Sequence, residues 1–448
     1  MTDVVREYFR YPVEMITFEP PSRLSEAAGF FKFGHDLTLF GRTICSPAPD
    51  LRGLLSDVSS SPAASDQGGV LPFDVNEVVH NLRLERYQPS LRAPSSRLNG
   101  WARDAYYAAR PLMPDMVRQK LQRRYFRDWS QIQFPAWPVD DTVDRLMKLA
   151  LIAGLKARGL SKIPFIWFWP SHYRAAAVLT HDVETSTGFR SCNRLMDLDD
   201  SFGVKSSFQI VPEKRYEPTL SVIQDMKGRG FEVNVQDLNH DGLLYRDYSE
   251  FRARAVRINE YRRSFGAEGF RSGVLYRNVD WYDALEFSYD MSMPNVGHLE
   301  AQRGGCCTIM PYFIGNILEI PLTTAQDYSL FYILKERSID LWKRQTDKIV
   351  RGNGMASFIS HPDYLFANGN RELYQELLTF LCSLRSDQAV WMTTPGNMNE
   401  WCRQRRNLKL VFKEGAWRTE GPGSDRATVA FAVQTEGGIA YEFSTSRL

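Results

Sequence analysis

The 448-residue chain predicts an α/β protein built on a barrel of β/α units, complete or distorted, with a mixed extension before it and a small β appendage after it. Three observations carry this. From about Ile163, short apolar runs alternate with segments of helical spacing. The residues just after those runs are unusually polar, as expected where parallel strands end at a barrel mouth. Beyond Arg406 the pattern becomes alternating residues broken by Gly-rich turns, which predicts antiparallel hairpins. The divisions fall at 1–162, a mainly helical extension, 163–406, the barrel, and 407–448, the appendage.

Length and apolar content suffice for two or three domains with a large core. A formal charge of +2 gives no reason to expect nucleic acid as a partner. None of the six cysteines has C-x-x-C spacing, and adjacent Cys306 and Cys307 are poor partners for each other, so a reduced, cytoplasmic protein is expected. The N-terminal "MTDVVREYFRYPVEM" carries charges where a signal peptide needs an apolar core, and no run approaches 18 apolar residues.

In the extension, "SDVSSSPAASDQGG" (Ser56 to Gly69) reads as a flexible linker or hairpin tip. "LPFDVNEVVHNLRLERY" and "DDTVDRLMKLALIAGLKARG" have helical spacing. In the second, Val143, Leu146, Met147, Ala150, Leu151 and Leu155 share one face and Gly159 is the stop. "DMVRQKLQRRYFRDW" (115–129) is a basic helix, either a solvated face or a peripheral contact with an anionic membrane or glycan. "IPFIWFWP" (163–170) is expected to be a buried or edge strand leading into the barrel rather than a sugar-stacking surface.

The barrel strands are expected at 175–182, 205–211, 231–238, 269–275, 317–323, 355–362 and 389–394. Their ends supply His181, Asp182 and Glu184, then Gln236, Asp237, Asn239 and His240, then Arg271 and His361, with Asp290 from "EFSYDMSMPN". Carboxylates and histidines converging at one mouth offer ligands for a divalent metal and leave groups for acid and base work. Singly, each is as well explained as a cap, an ion-pair partner or a structural histidine.

The segments "VLTHDVET", "EVNVQDLNHDG", "GFRSGVLYRN", "YDMSMPN" and "FISHPDY" resemble, in order and approximate spacing, the motifs of the polysaccharide deacetylases, the NodB homology fold of carbohydrate esterase family four. The resemblance covers about 175–395. It implies a distorted (β/α)7 barrel that removes acetyl groups from an acetylated sugar, glycan or lipid-linked saccharide with a divalent metal, zinc or similar. It also implies roles for individual residues. Asp182 matches the base. Val183 occupies the usual ligand position, so Glu184 is expected to replace it, since strand alternation turns Asp182 and Glu184 to one side and Val183 to the other. The family's pair of metal histidines falls on Gln236 and His240, and an amide oxygen is a poorer ligand than imidazole. Arg271 matches the arginine that orients the base, with Gly273 where a proline is usual. His361 matches the general acid, Asp290 is expected to tune it, and the amide near Val274 to donate to the oxyanion. His181 and His172 have no counterpart and read as structural.

Three functions stay open at this point: a metal-dependent deacetylase, a binding or regulatory barrel with an impaired metal site, and an amidohydrolase on a non-sugar C–N bond.

Overall fold

A computed structural model of the chain describes residues 3–34, 36–59, 71–91, 113, 115–367, 369–387 and 389–443. Most of the expected linker, from Ser60 onward, lies outside them. In the extension, Asp3 caps the helix Val4–Phe9 by accepting from the amides of Val5 and Arg6, and Asp74 caps Val75–Arg83 in the same way. Strands β1 (Gly29–Phe33) and β2 (Leu37–Gly41) form an antiparallel hairpin against them. The helix Thr142–Ala157 buries every residue of the expected face, and Gly159, at φ +62°, follows its end. The basic segment is helical over Asp115–Tyr125, with Val117, Leu121 and Tyr125 exposed along one side and Phe126 buried just beyond.

Strand β3 (Lys162–Ile166) departs from expectation. It does not lead the barrel sheet but pairs antiparallel with β15 (Val429–Thr435), which pairs in turn with β16 (Gly438–Phe443). A tight turn at Pro170–His172, with Ser171 at φ 50° and His172 at φ 65°, breaks the chain between β3 and the next strand. The aromatic run thus belongs to a sheet shared with the C-terminal segment, where Trp167 and Trp169 are fully buried. Strands β13 (Lys409–Lys413) and β14 (Ala416–Glu420) make a separate hairpin.

The central sheet starts from β4 (Ala175–Val183), which is buried at every position because it has neighbours on both edges and cover on both faces. Around it run β5 (Ser207–Ile210), β6 (Glu232–Gln236), β7 (Gly269–Arg271), β8 (Tyr289–Asp290), β10 (Ile317–Glu319) and β11 (Met355–Ser360), in the order β11-β4-β5-β6-β7-β8-β10, all parallel. Strand β9 (Tyr312–Ile314) adds an antiparallel edge, and β12 (Val390–Thr393) pairs with the first half of β4. The sheet curls until the chain beyond β10 reaches β11. There no regular ladder forms. Thr323 donates its hydroxyl to the Met355 carbonyl at 2.7 Å and accepts from the Ser357 amide at 2.8 Å, while the Thr324 amide donates to the Ser357 carbonyl at 3.3 Å. Side-chain bonds in place of a strand pair are the distortion of this barrel.

Alternation along the short strands fixes what faces inward. Asn234 donates to Ser207 and Tyr289 at 2.9 Å each, closing the lower interior with a polar network. Gly269 is needed there, since a Cβ would lie 2.2 Å from the Tyr289 ring. Two residues above Asn234 and Gly269 on the same face come Gln236 and Arg271, which are paired in register.

The extension is tied to the barrel by a charge pair. Arg277 Nε donates to Glu85 Oε2 at 2.8 Å and its Nη2 to Oε1, with both side chains nearly fully buried. Burial without a partner is the costly state for such a group. Glu85→Ala is therefore expected to lower unfolding free energy by about 3–5 kcal/mol, read by denaturant titration. A loss under 1 kcal/mol would show the pair to be dispensable.

Candidate active site

Asp182 and Glu184 leave the end of β4 on one side, and Val183 between them is fully buried in the core. Arg271 is fully buried across the barrel, and its Nη1 donates to Asp182 Oδ1 and to Thr180 Oγ1 at 2.9 Å each. Its Nε is fixed to the Met291 carbonyl at 3.1 Å, so the guanidinium has one orientation. Burial pushes the Asp182 carboxyl above its ordinary range, and the Arg271 charge pulls it back.

Gln236 donates its amide to Asp182 Oδ2 at 3.1 Å and to Glu184 Oε1 at 3.4 Å. Its own Oε1 is buried with no hydrogen-bond partner. His240, held at φ 54° by the turn after β6, brings Nε2 to 2.7 Å from Glu184 Oε1. The approach is close but unaligned, and neither ring nitrogen of His240 makes a hydrogen bond. His361 sits at the end of β11 with Nε2 at 3.5 Å from the same Glu184 oxygen. Burial opposes ionisation of Glu184, but His240 and then His361 hold it well below the usual carboxylate range. The expected residues Asp182, Glu184, Gln236, His240, Arg271 and His361 thus meet in one place.

Asp290 does not join them. Tyr289 reaches inward to Asn234, so alternation turns Asp290 to the outer face of β8, where it accepts from Tyr282 at 3.0 Å and from Ser292 Oγ at 2.9 Å. The residue that holds His361 is Asp327. Its Oδ1 takes Nδ1 of the imidazole and its Oδ2 the His361 amide, both at 2.7 Å. Burial disfavours the imidazolium, yet Asp327 and Glu184 outweigh it and raise the His361 pKa well above the ordinary value. Asp327 follows the apolar run "ILEIPLTTAQD", so the rule of reading residues after each run would have reached it had the run been extended through its threonines.

Glu300 was also missed, because it lies in a loop with no strand before it to mark it. It accepts from Gln326 Nε2 at 2.6 Å, next to Asp327, and feels the charges of His361 and Asp182. Burial pushes its carboxyl up to about 7. His181 is structural as expected, bonded to Ser360 at 2.8 Å and Asp199 at 3.2 Å on the far side of β4. Gly273 admits no side chain, since a Cβ would lie 2.5 Å from Asp237 Oδ2 and 3.1 Å from the His240 ring. Val274 follows at φ 61°, a strained position for a β-branched residue and one typical of functional sites.

The residues fit a divalent cation. Asp182, Glu184 and His361 each place a ligand atom within 4.8 Å of the others. Beside them stand two ligand atoms without hydrogen-bond partners, His240 Nε2 and Gln236 Oε1. A cation next to Glu184 would satisfy both, with the amide of Gln236 turned about. Carboxylate, imidazole and amide oxygen together suit zinc and its neighbours among the divalent metals.

No family model matches the chain, and no curated protein matches it. Among solved structures it is similar to one assigned as a polysaccharide deacetylase from Mycobacterium smegmatis, 18% identical over 56% of this chain and 97% of that one, TM-score 0.44. An allantoinase is 15% identical over 52% and 91%, TM-score 0.42. A family 4 acetyl xylan esterase from Clostridium thermocellum, in complex with a cobalt ion, is 12% identical over 50% and 91%, TM-score 0.33.

Two outcomes follow from the charges. Asp327→Asn removes the counter-charge of His361 and is expected to lower that imidazole's pKa by a unit or more, roughly 1.4 kcal/mol per unit, read by NMR titration. An unmoved value would remove Asp327 from the site. Glu300 has a folded pKa raised above its unfolded one, so its stabilising effect is complete below about pH 4.5 and is lost as pH rises through about 7. Glu300→Gln should remove a decline of about 3 kcal/mol over that window, read as unfolding free energy against pH.

Proposed function

We propose that the chain is a metal-dependent hydrolase that removes an acetyl group from an amino sugar or glycan. The observation that supports it is the pairing of a fixed base with a fixed acid across one half-buried carboxylate. Asp182 is held by Arg271 on one side of Glu184, and His361 is held by Asp327 on the other. A divalent ion held by Glu184, His240 and Gln236 would polarise an acyl oxygen and acidify water.

The chain's own residues then have separable tasks. Asp182, kept in one orientation by Arg271 Nη1, takes a proton from the attacking water on an oxygen not occupied by the arginine. His361 carries its mobile proton on Nε2, because Nδ1 is committed to Asp327, and delivers it to the departing nitrogen or oxygen. The amide at Val274 donates to the developing oxyanion. Asp290 is left out of the mechanism. The substrate class, an acetylated sugar, glycan or lipid-linked saccharide, rests on the motif resemblance. Among the described residues no helix is long and apolar enough to cross a membrane.

One observation favours a second reading, a barrel that binds without hydrolysing. Gln236 donates to both carboxylates, so their oxygens have hydrogen-bond partners without a cation. Metal content and acetate release separate the two. The purified chain, held in equilibrium with free zinc or cobalt, is expected to bind one ion per chain at saturation and to release acetate from an N-acetylated sugar. Gln236→His should bind the ion at least tenfold more tightly, and Glu184→Ala should lose it. Metal and acetate release found only in Gln236→His would leave the second reading standing.

A further inference from the structure

A cluster of arginines meets where the extension, the segment after β3, the chain around β9 and the last helix, Pro395–Asn407, come together. Arg10, Arg83, Arg405 and Arg406 line one cavity of about 60 Å3 that opens to solvent, and Glu7 is the one carboxylate in its lining. Arg406 Nε lies 3.7 Å from Glu7. Arg405 is committed to backbone carbonyls, among them Ile166 and Tyr8 at 2.8 Å each. Arg83 lies 5.0 Å from the centre of the Tyr312 ring, and Arg406 lies 4.3 Å from that of Phe313.

The cations are poorly compensated. The Nε atoms of Arg10 and Arg83, and of Arg6 nearby, are buried without hydrogen-bond partners. Arg10 Nη2 reaches only a carbonyl, that of Leu408 at 3.2 Å. Asp144, which lies behind Tyr8, is spent on Tyr8, Thr308 and the Ile309 amide, and burial pushes it up to about 6. Burial, then the neighbouring Arg10, lowers Arg405 to about 9. A half-buried guanidinium whose inner N–H has no acceptor is costly, and planar N–H forks of this kind match the oxygens of phosphate.

We propose that this cavity is a binding site for a phosphate-bearing anion, distinct from the catalytic mouth. The aromatic rings beside Arg83 and Arg406 would carry the apolar part of an organic phosphate, while inorganic phosphate would engage the guanidinium groups alone.

The test uses the full chain and two probes, inorganic phosphate and a nucleoside diphosphate, each against sodium chloride at matched ionic strength. Binding is read by calorimetry and by the shift of the thermal midpoint. Both phosphates are expected to raise the midpoint by several degrees where chloride does not, and tighter binding of the diphosphate would identify an organic ligand. Arg83→Gln is expected to weaken binding at least tenfold. Glu7→Gln, which removes the cavity's carboxylate, should tighten it, and this change of sign separates ligand binding from damage to the fold. Stabilisation by phosphate no greater than by chloride, or binding indifferent to both substitutions, would overturn the proposal.

Discussion

Glu184 is the charge around which the barrel mouth is arranged. Its carboxylate stands at the end of β4 with His240 at 2.7 Å, His361 at 3.5 Å and the Gln236 amide at 3.4 Å. Asp182, on the same side of the strand, is a second carboxylate and a buried one, and two such charges so close together must each be compensated. Arg271 supplies that for Asp182. This explains why the arginine, fully buried, is pinned by Met291 and Thr180 as well, since a free guanidinium there would cost more than it returned. On the other side the demand passes outward, from Glu184 to His361 and from His361 to Asp327. The result is a row of compensated charge across the mouth, Arg271, Asp182, Glu184, His361 and Asp327, in which the two carboxylates at the end of β4 stand between an arginine and an imidazole.

Much of this was legible in the sequence, for reasons that differ from residue to residue. The run at Ala175–Val183 is apolar nearly throughout because the strand has cover on both faces, and a continuous run ending in two carboxylates marks a barrel mouth even without knowledge of its partners. Gln236, His240, Arg271 and His361 follow runs of the same kind. Strand β8 is only Tyr289–Asp290, too short to leave any periodicity, so the inward and outward senses of its residues could not be read. That is why Asp290 was placed in the site by motif position and the structure turns it out. Asp327 was hidden by the reverse effect. The chain beyond β10 closes the barrel through threonine hydroxyls instead of a ladder, and polar threonines made the run look finished four residues before Asp327. Strand β3 was misplaced because an apolar aromatic run fits a barrel strand and a sheet with the C-terminus equally well, and only the turn at Ser171 decides between them.

The site's chemistry turns on which end of the Gln236 amide faces Glu184. With the NH2 group inward, Gln236 makes bonds to two carboxylates and leaves its oxygen buried without a partner. With the oxygen inward, those two charge-assisted bonds are given up and the oxygen is free to ligate. Bonds of this kind contribute about 1.5–3 kcal/mol each when well formed. At 3.1 and 3.4 Å they are long, which places their combined value toward the lower end. Giving them up costs a cation on the order of one to three powers of ten in affinity. A histidine in the same place would offer a nitrogen lone pair at neutral pH without first breaking such bonds. On the proposed reading, glutamine at this position would leave the site open to metal, with an occupancy that follows the metal concentration, while the bonds of Arg271 to Asp182 and of Asp327 to His361 do not depend on an ion.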